Sequence, residues 1–141
     1  MDDIRLVYTV DQVNWSVLAE VYRRAPLGNH EPKKLQHAFQ NSDVCCFAYR
    51  GKELIGAGRA ISDGEFFATI CDLVVLPECQ RQGVGRIIME AMIERLAVPK
   101  VILACVLGQE EFYRKLGFLR HKSVMALYPN VEWFREKGYL E

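Results

Sequence analysis

At 141 residues the chain is long enough for one domain with its own core, and 50% apolar with 26% charged residues is the composition of an ordinary folded protein. A formal net charge of zero argues against general nucleic-acid binding or attachment to an acidic membrane, and no apolar run reaches the ~18 residues a membrane span needs. The first residues, MDDIRLVYTV, are acidic where a secretory signal is basic, and no apolar stretch follows, so a cytoplasmic location is expected.

Five cysteines (Cys45, Cys46, Cys71, Cys79 and Cys105) form no CxxC pair and fall mostly in apolar runs, which reads as reduced, buried thiols. His30, His37 and His121 have no ligand spacing with each other or with the cysteines, so no metal is expected.

In chain order, Ile4 to Tyr8 reads as a strand. Thr9 and Gln12 form a T-x-x-Q capping box ahead of Val10, Val13, Val17, Leu18, Val21 and Tyr22, which repeat at helical spacing until Pro26 and Gly28 stop the pattern. Pro32 fits the first turn of a second helix carrying Leu35, Ala38 and Phe39 on one face. Val44 to Tyr49 and Leu54 to Ile61 are rich in strand-formers and join across Gly51 and Lys52 as a hairpin. Ser62-Asp63-Gly64 is a turn, and Phe66 to Leu76 completes a three-strand meander.

A helix then carries Val84, Ile87, Ile88, Ala91, Met92 and Leu96 on one face and Arg86, Glu90 and Glu94 on another. Val101 to Leu107 reads as a strand covered on both faces. A short helix from Gln109 to Leu116 closes at Gly117, and two further strands are expected near Leu119 and over Val124 to Leu127. No linker or repeat interrupts the chain, so residues 1–141 are expected to be a single domain, with the aromatic tail 128–141 packing on it or meeting a second copy. The order β-α-α-β-β-β-α-β-α-β-β is a mixed α/β fold, an antiparallel meander followed by a strand-helix-strand crossover.

Between the third meander strand and its helix lies Gln80-Arg81-Gln82-Gly83-Val84-Gly85-Arg86. A helix start offers unpaired N–H groups and the positive end of its dipole, and glycine lets an anion approach the backbone without a Cβ in the way. A phosphate cradle flanked by Arg81 and Arg86 is one reading; a turn that needs glycine only for its backbone is the other. The stretch lacks both the GK[ST] ending of a nucleotide P-loop and the third glycine of the dinucleotide fingerprint.

QRQGVG resembles the Q/R-x-x-G-x-G/A pyrophosphate motif of the GNAT superfamily of N-acetyltransferases, and it follows LVVLP as that motif follows the family's central strand. EEFYRKLGF (Glu110 to Phe118) resembles the family's second signature, a helix carrying a tyrosine ahead of L-G-F. More narrowly, GRAISDGEFFATICDLVVLPECQRQGVG is similar to the small bacterial and plant-type members related to aralkylamine (serotonin-type) acetyltransferases.

The resemblance implies a GNAT-like fold whose central strand is splayed to hold acetyl-CoA. The cosubstrate's pyrophosphate would lie on Gln80, Arg81, Gln82, Gly83, Val84, Gly85 and Arg86, and its pantetheine arm along Leu73, Val74 and Val75, where a backbone N–H would polarise the thioester carbonyl. The amine acceptor, a small molecule, would attack directly without an acyl-enzyme. Tyr113 matches the family tyrosine beside the departing sulfur; with a phenol pKa of ~10 against ~8.5 for a thiol, full proton transfer is uphill by about 2 kcal/mol, so it is expected to donate a hydrogen bond.

An alkylamine of pKa ~10.4 costs roughly 4.6 kcal/mol to deprotonate at neutral pH, so a base or water relay would help. Asp72, the lone acid of the apolar strand TICDLVV, is the candidate base, its pKa raised if it is buried; a structural role bonded to nearby backbone is the alternative. Asp63, Glu65 and His30 are lesser candidates. Arg59 could pair with an acid or orient the acceptor, and Trp15, Tyr22 and Phe39 come from helices that wall the acceptor groove in this family but more often serve as core. Relatives' cofactor-contacting asparagine before the tyrosine helix is missing from CVLGQEEFY, leaving Gly108 or Gln109 to replace it. Two other functions compete: acetylation of a protein N-terminus or lysine, and a non-catalytic acyl-CoA-binding module. Monomer and homodimer both remain open.

Overall fold

A computed structural model describes residues 3–141; Met1 and Asp2, at the acidic start, lie outside the described residues. The chain groups into two compact units, one running to Ala104 and one from Cys105 to Glu141.

In the first unit, β1 (Ile4–Val7), β2 (Val44–Arg50), β3 (Glu53–Ser62), β4 (Phe67–Val75) and β5 (Lys100–Leu103) form one sheet in sequential order. The first four pair antiparallel, and β5 runs parallel to β4 after the crossover helix α3 (Val84–Leu96). This is the mixed α/β fold expected.

Two helices, α1 (Trp15–Arg24) and α2 (Pro32–Gln40), pack together over one face of the sheet, and α3 covers the other. The strand pleat decides which residue meets which layer. On β3, a Cβ at Gly58 would stand 2.6 Å from Met92 Cε of α3, so a larger residue there would push the methionine's end aside. Alternate residues face the other way: Ala57 is registered on Phe47, whose ring meets Phe39 of α2 at 5.2 Å and Trp15 of α1 at 6.1 Å. On α3, Val84, Ile88, Met89, Met92 and Leu96 are buried, while Ile87, expected inward, is 39% exposed.

The first helix begins later than expected. Asn14, not Thr9, is its N-cap, its side-chain oxygen accepting from the amides of Ser16 and Val17 at 3.1 and 3.2 Å. Asn outcompetes Thr as a cap, and the turn at 10–13 leaves no room for the T-x-x-Q box. Pro32 opens α2 as expected.

The second unit holds α4 (Glu110–Arg114) and α5 (Val131–Glu136). The strand expected over Val101 to Leu107 forms only in its first half, as β5 stops at Leu103. At the far end of that stretch the Leu107 amide donates to the Tyr139 hydroxyl, Gly108 to Glu110 and Gln109 to the Val106 carbonyl, bonds that a turn makes in place of a ladder. Nor do Leu119 and Val124 to Leu127 form strands among the described residues. No strand lies paired beside them, and Leu119 and Met125 are 85% and 91% exposed. The tail gathers Tyr128, Trp133, Phe134 and Tyr139 into an aromatic cluster around α5.

Candidate active site

Strand β4 is irregular at the point that matters. Its pairing to β3 runs Gly56↔Val75, Ala57↔Val74, then Arg59↔Cys71, so Asp72 and Leu73 together oppose Gly58. That is a β-bulge, and Asp72 takes the left-handed conformation within it, φ 57°. A non-glycine residue there costs about 1–2 kcal/mol, least for Asp and Asn. Parallel pairing to β5 covers only Phe67 to Ile70, so beyond the bulge no β5 residue is registered on β4.

The pleat then orients the open stretch. Leu76 donates its amide to Ile55 of β3, so the backbone of Val75 points the other way, to the open edge. Gln80 confirms this side, donating its side-chain amide to the Val75 carbonyl at 3.0 Å. Leu73 flanks the same edge. Val74 has its side chain buried and is registered on Ala57 of β3.

A 3-10 turn, Pro77–Cys79, leads from β4 to the loop before α3. Arg81 and Gly83 both have positive φ, 63° and 86°, and Gly83 caps the helix. None of the amides from Arg81 to Arg86 donates a hydrogen bond among the described residues; the first to do so is Ile87, to the Gly83 carbonyl at 3.1 Å. Six successive N–H groups at a helix start are donors that an anion could satisfy, with the helix dipole favouring negative charge there.

The two glycines divide the labour. Gly83 is required by its backbone, with open space where a Cβ would stand. Gly85 lies in the first turn of α3 without positive φ, where backbone geometry makes no demand for glycine. Side chains brace the loop: Gln82 donates to the Glu78 carbonyl at 3.1 Å and accepts from Arg50 at 3.1 Å, and Glu78 pairs with Arg24 of α1.

Asp72 is not the lone buried acid expected. Arg59 Nε donates to Asp72 Oδ2 at 2.7 Å, and the carboxylate side chain is 35% exposed. Position along an apolar strand did not reveal the bulge that turns it outward. The expectation that Arg59 pairs with an acid is met. Arg59 also donates to Ser42 Oγ at 3.3 Å, and Ser42 donates to the Ala38 carbonyl of α2. From α1, the Tyr22 hydroxyl donates to the Asp72 carbonyl, a contact that nothing in the helical pattern signalled. Burial holds the Tyr22 hydroxyl well above the usual phenol range, with Asp72 acting in the same direction.

Tyr22 and Phe39 are core, and Trp15 is half-buried against Phe39 and Phe47. His30 sits edge-on to Tyr22 at 5.1 Å, with Nε2 3.3 Å from the Leu27 carbonyl. Asp63 is a turn residue: its Oδ1 accepts from the amides of Glu65, Phe66 and Phe67, which hold its carboxyl below the usual range. Glu65 is exposed on that turn.

Within the second unit, Tyr113 sits in α4 against Phe112 and Phe118, at 4.9 and 6.0 Å. Burial pushes its hydroxyl up to about 12, and Cys105 pushes it the same way. Where relatives carry the asparagine, the Gly108 amide donates to Glu110 Oε1 and the Gln109 amide to the Val106 carbonyl.

Of the thiols, Cys45, Cys46 and Cys79 are buried, and burial raises Cys46 to about 12. No cluster of three or more His, Cys, Asp or Glu residues suited to a metal occurs among the described residues. No helix among them is long and apolar enough to cross a membrane.

A mixed sheet whose fourth strand loses its neighbour past a bulge thus leads directly into a glycine loop of unpaired amides. Residues 10–118 match the model of the Acetyltransferase (GNAT) family. The chain is 32% identical over 95 residues to the uncharacterized N-acetyltransferase ycf52 of Pyropia yezoensis, covering 62% of this chain and 55% of that protein. It is 32% identical over 108 residues to serotonin N-acetyltransferase 2, chloroplastic, of Oryza sativa subsp. japonica, covering 72% of this chain and 54% of that one. A solved GNAT-family acetyltransferase of Streptococcus pneumoniae superposes with a TM-score of 0.76 at 25% identity, covering 91% of this chain and 98% of that one. The chain belongs to the GNAT acetyltransferase family. It spans about half the length of the curated relatives it matches.

Proposed function

We propose that this protein transfers the acetyl group of acetyl-CoA to a primary amine of a small molecule. The observation that carries the proposal is the run of unpartnered amides from Arg81 to Arg86, set directly after the open edge of β4. Phosphate oxygens satisfy such donors, and the exposed Arg81 adds charge.

Val75 directs its N–H to the open edge, where it would polarise a thioester carbonyl and stabilise the oxyanion that develops on attack. The acceptor nitrogen forms its bond to the acetyl carbon as the carbon–sulfur bond breaks. Asp72 engages Arg59 through Oδ2 only, which leaves Oδ1 to take the amine proton directly or through water. Tyr113, pushed up to about 12, is a poor acid; proton transfer to a thiolate is uphill by roughly 5 kcal/mol, which favours a hydrogen bond to the departing sulfur with the final proton coming from solvent.

The relative from Oryza sativa is named for serotonin, a small arylalkylamine, and this supports a small-molecule acceptor. The test is mass-spectrometric detection of acetylated product after incubation with acetyl-CoA and pooled arylalkylamines, polyamines, amino sugars, amino acids and short peptides. A small-amine product that diminishes with Tyr113→Phe is expected. Acetylated peptides alone would overturn the small-molecule reading, and tight acetyl-CoA binding without any product would point to a binding module.

A further inference from the structure

Tyr22 is a core tyrosine of α1, yet its hydroxyl is spent on one particular carbonyl, that of Asp72. Asp72 is the left-handed residue of the β4 bulge. Beyond that bulge the strand runs with Val75 facing the open edge. The bulge is thus held from two sides: its carbonyl by Tyr22, and its carboxylate by Arg59, itself tied to Ser42 at the end of α2. A bulge inserts one residue into one strand, and without it every later side chain and amide changes face.

We propose that Tyr22 is a positioning residue of the acetyl-transfer site. Its hydroxyl latches the Asp72 carbonyl and so keeps Leu73 to Val75 in the register that presents the Val75 amide to the pantetheine and thioester end of acetyl-CoA. This rests on the acetyl-transfer reading. The latch reaches β4 and not the pyrophosphate loop, whose own bracing comes from Glu78, Gln82 and Arg50. Its loss therefore affects one half of the cosubstrate only.

Tyr22→Phe keeps the ring and removes the hydroxyl. The full-length variant is checked by thermal unfolding and then titrated by calorimetry with acetyl-CoA and with the phosphoadenosine diphosphate half of the cofactor, which lacks pantetheine. Loss of one buried hydrogen bond predicts about five- to tenfold weaker acetyl-CoA binding, with the phosphoadenosine fragment unchanged. Adding Asp72→Gly to Tyr22→Phe recovers acetyl-CoA affinity, because glycine takes the bulge conformation without a latch; this also serves if the single variant folds poorly. Equal acetyl-CoA affinity in parent and Tyr22→Phe, parallel weakening of both ligands, or a lowered Tm alone overturns the latch. A parent protein that binds no acetyl-CoA overturns the acetyl-transfer reading itself, a distinct outcome.

Discussion

Gly85→Ala separates a glycine kept for its ligand from one kept for its backbone. Gly85 lies in the first turn of α3 without positive φ, so alanine fits its conformation and should stabilise the helix by about 0.5–1 kcal/mol. Under the proposed function the same methyl would compete with a phosphate for the amide run from Arg81 to Arg86. A hydrogen bond to a charged group is worth about 1.5–3 kcal/mol, so losing one lowers acetyl-CoA affinity about 10- to 150-fold. Stability and affinity thus move in opposite directions. Urea unfolding gives the first and calorimetric titration the second. Gly83→Ala is the contrast: its φ of 86° strains alanine by about 1–2 kcal/mol, so stability falls. If Gly85→Ala binds acetyl-CoA as tightly as the parent, the cradle reasoning is wrong and Gly85 is an ordinary helix glycine.

If its hydroxyl serves the departing sulfur as proposed, Tyr113→Phe should lower kcat by about 10- to 100-fold while leaving acetyl-CoA affinity within about twofold; steady-state kinetics beside calorimetry reads both. Alkaline stability should fall steeply. Cys46 keeps its proton in the folded chain up to about pH 12 but releases it near 9 when unfolded, so through that window the unfolded state binds fewer protons and stability drops by about 1.4 kcal/mol per pH unit. Tyr113, raised to about 12 from an ordinary 10, adds to the loss above pH 10. Cys46→Ala should flatten the pH 9–12 limb of a urea-unfolding series, and an unchanged slope refutes the assignment. Asn14→Ala should cost about 1 kcal/mol and Thr9→Ala nearly nothing, because only Asn14 caps α1; equal costs would restore the T-x-x-Q box.

Much of the sheet was legible because local signals agree there. Alternation and turn chemistry marked β2, β3 and β4, and Pro32 marked α2. The start of α1 was misplaced because two capping signals lie five residues apart and only the chain's path decides between them. Residues 119–127 have strand-forming composition, but a strand needs a neighbour to pair with, and composition does not supply one.

At the site, the glycine loop was legible because its chemistry is contiguous in sequence. Asp72 was found, but its setting was not: nothing in TICDLVV announces a bulge, and neither the exposed carboxylate nor the Tyr22 latch follows from periodicity. Arg59 was recognisable as a charge on an apolar strand that needed a counter-charge. Its partner turned out to be on the neighbouring strand, where register alone brings Arg59 opposite Cys71, next to Asp72.

The most direct test of the account is an amide-resolved NMR titration of the isotopically labelled protein with acetyl-CoA. The account predicts saturable shifts largest at the N–H groups of Arg81 to Arg86 and at Val75, where the proposed function puts the pyrophosphate and the thioester. Saturable binding that leaves those amides unmoved, or no binding at all, would contradict it.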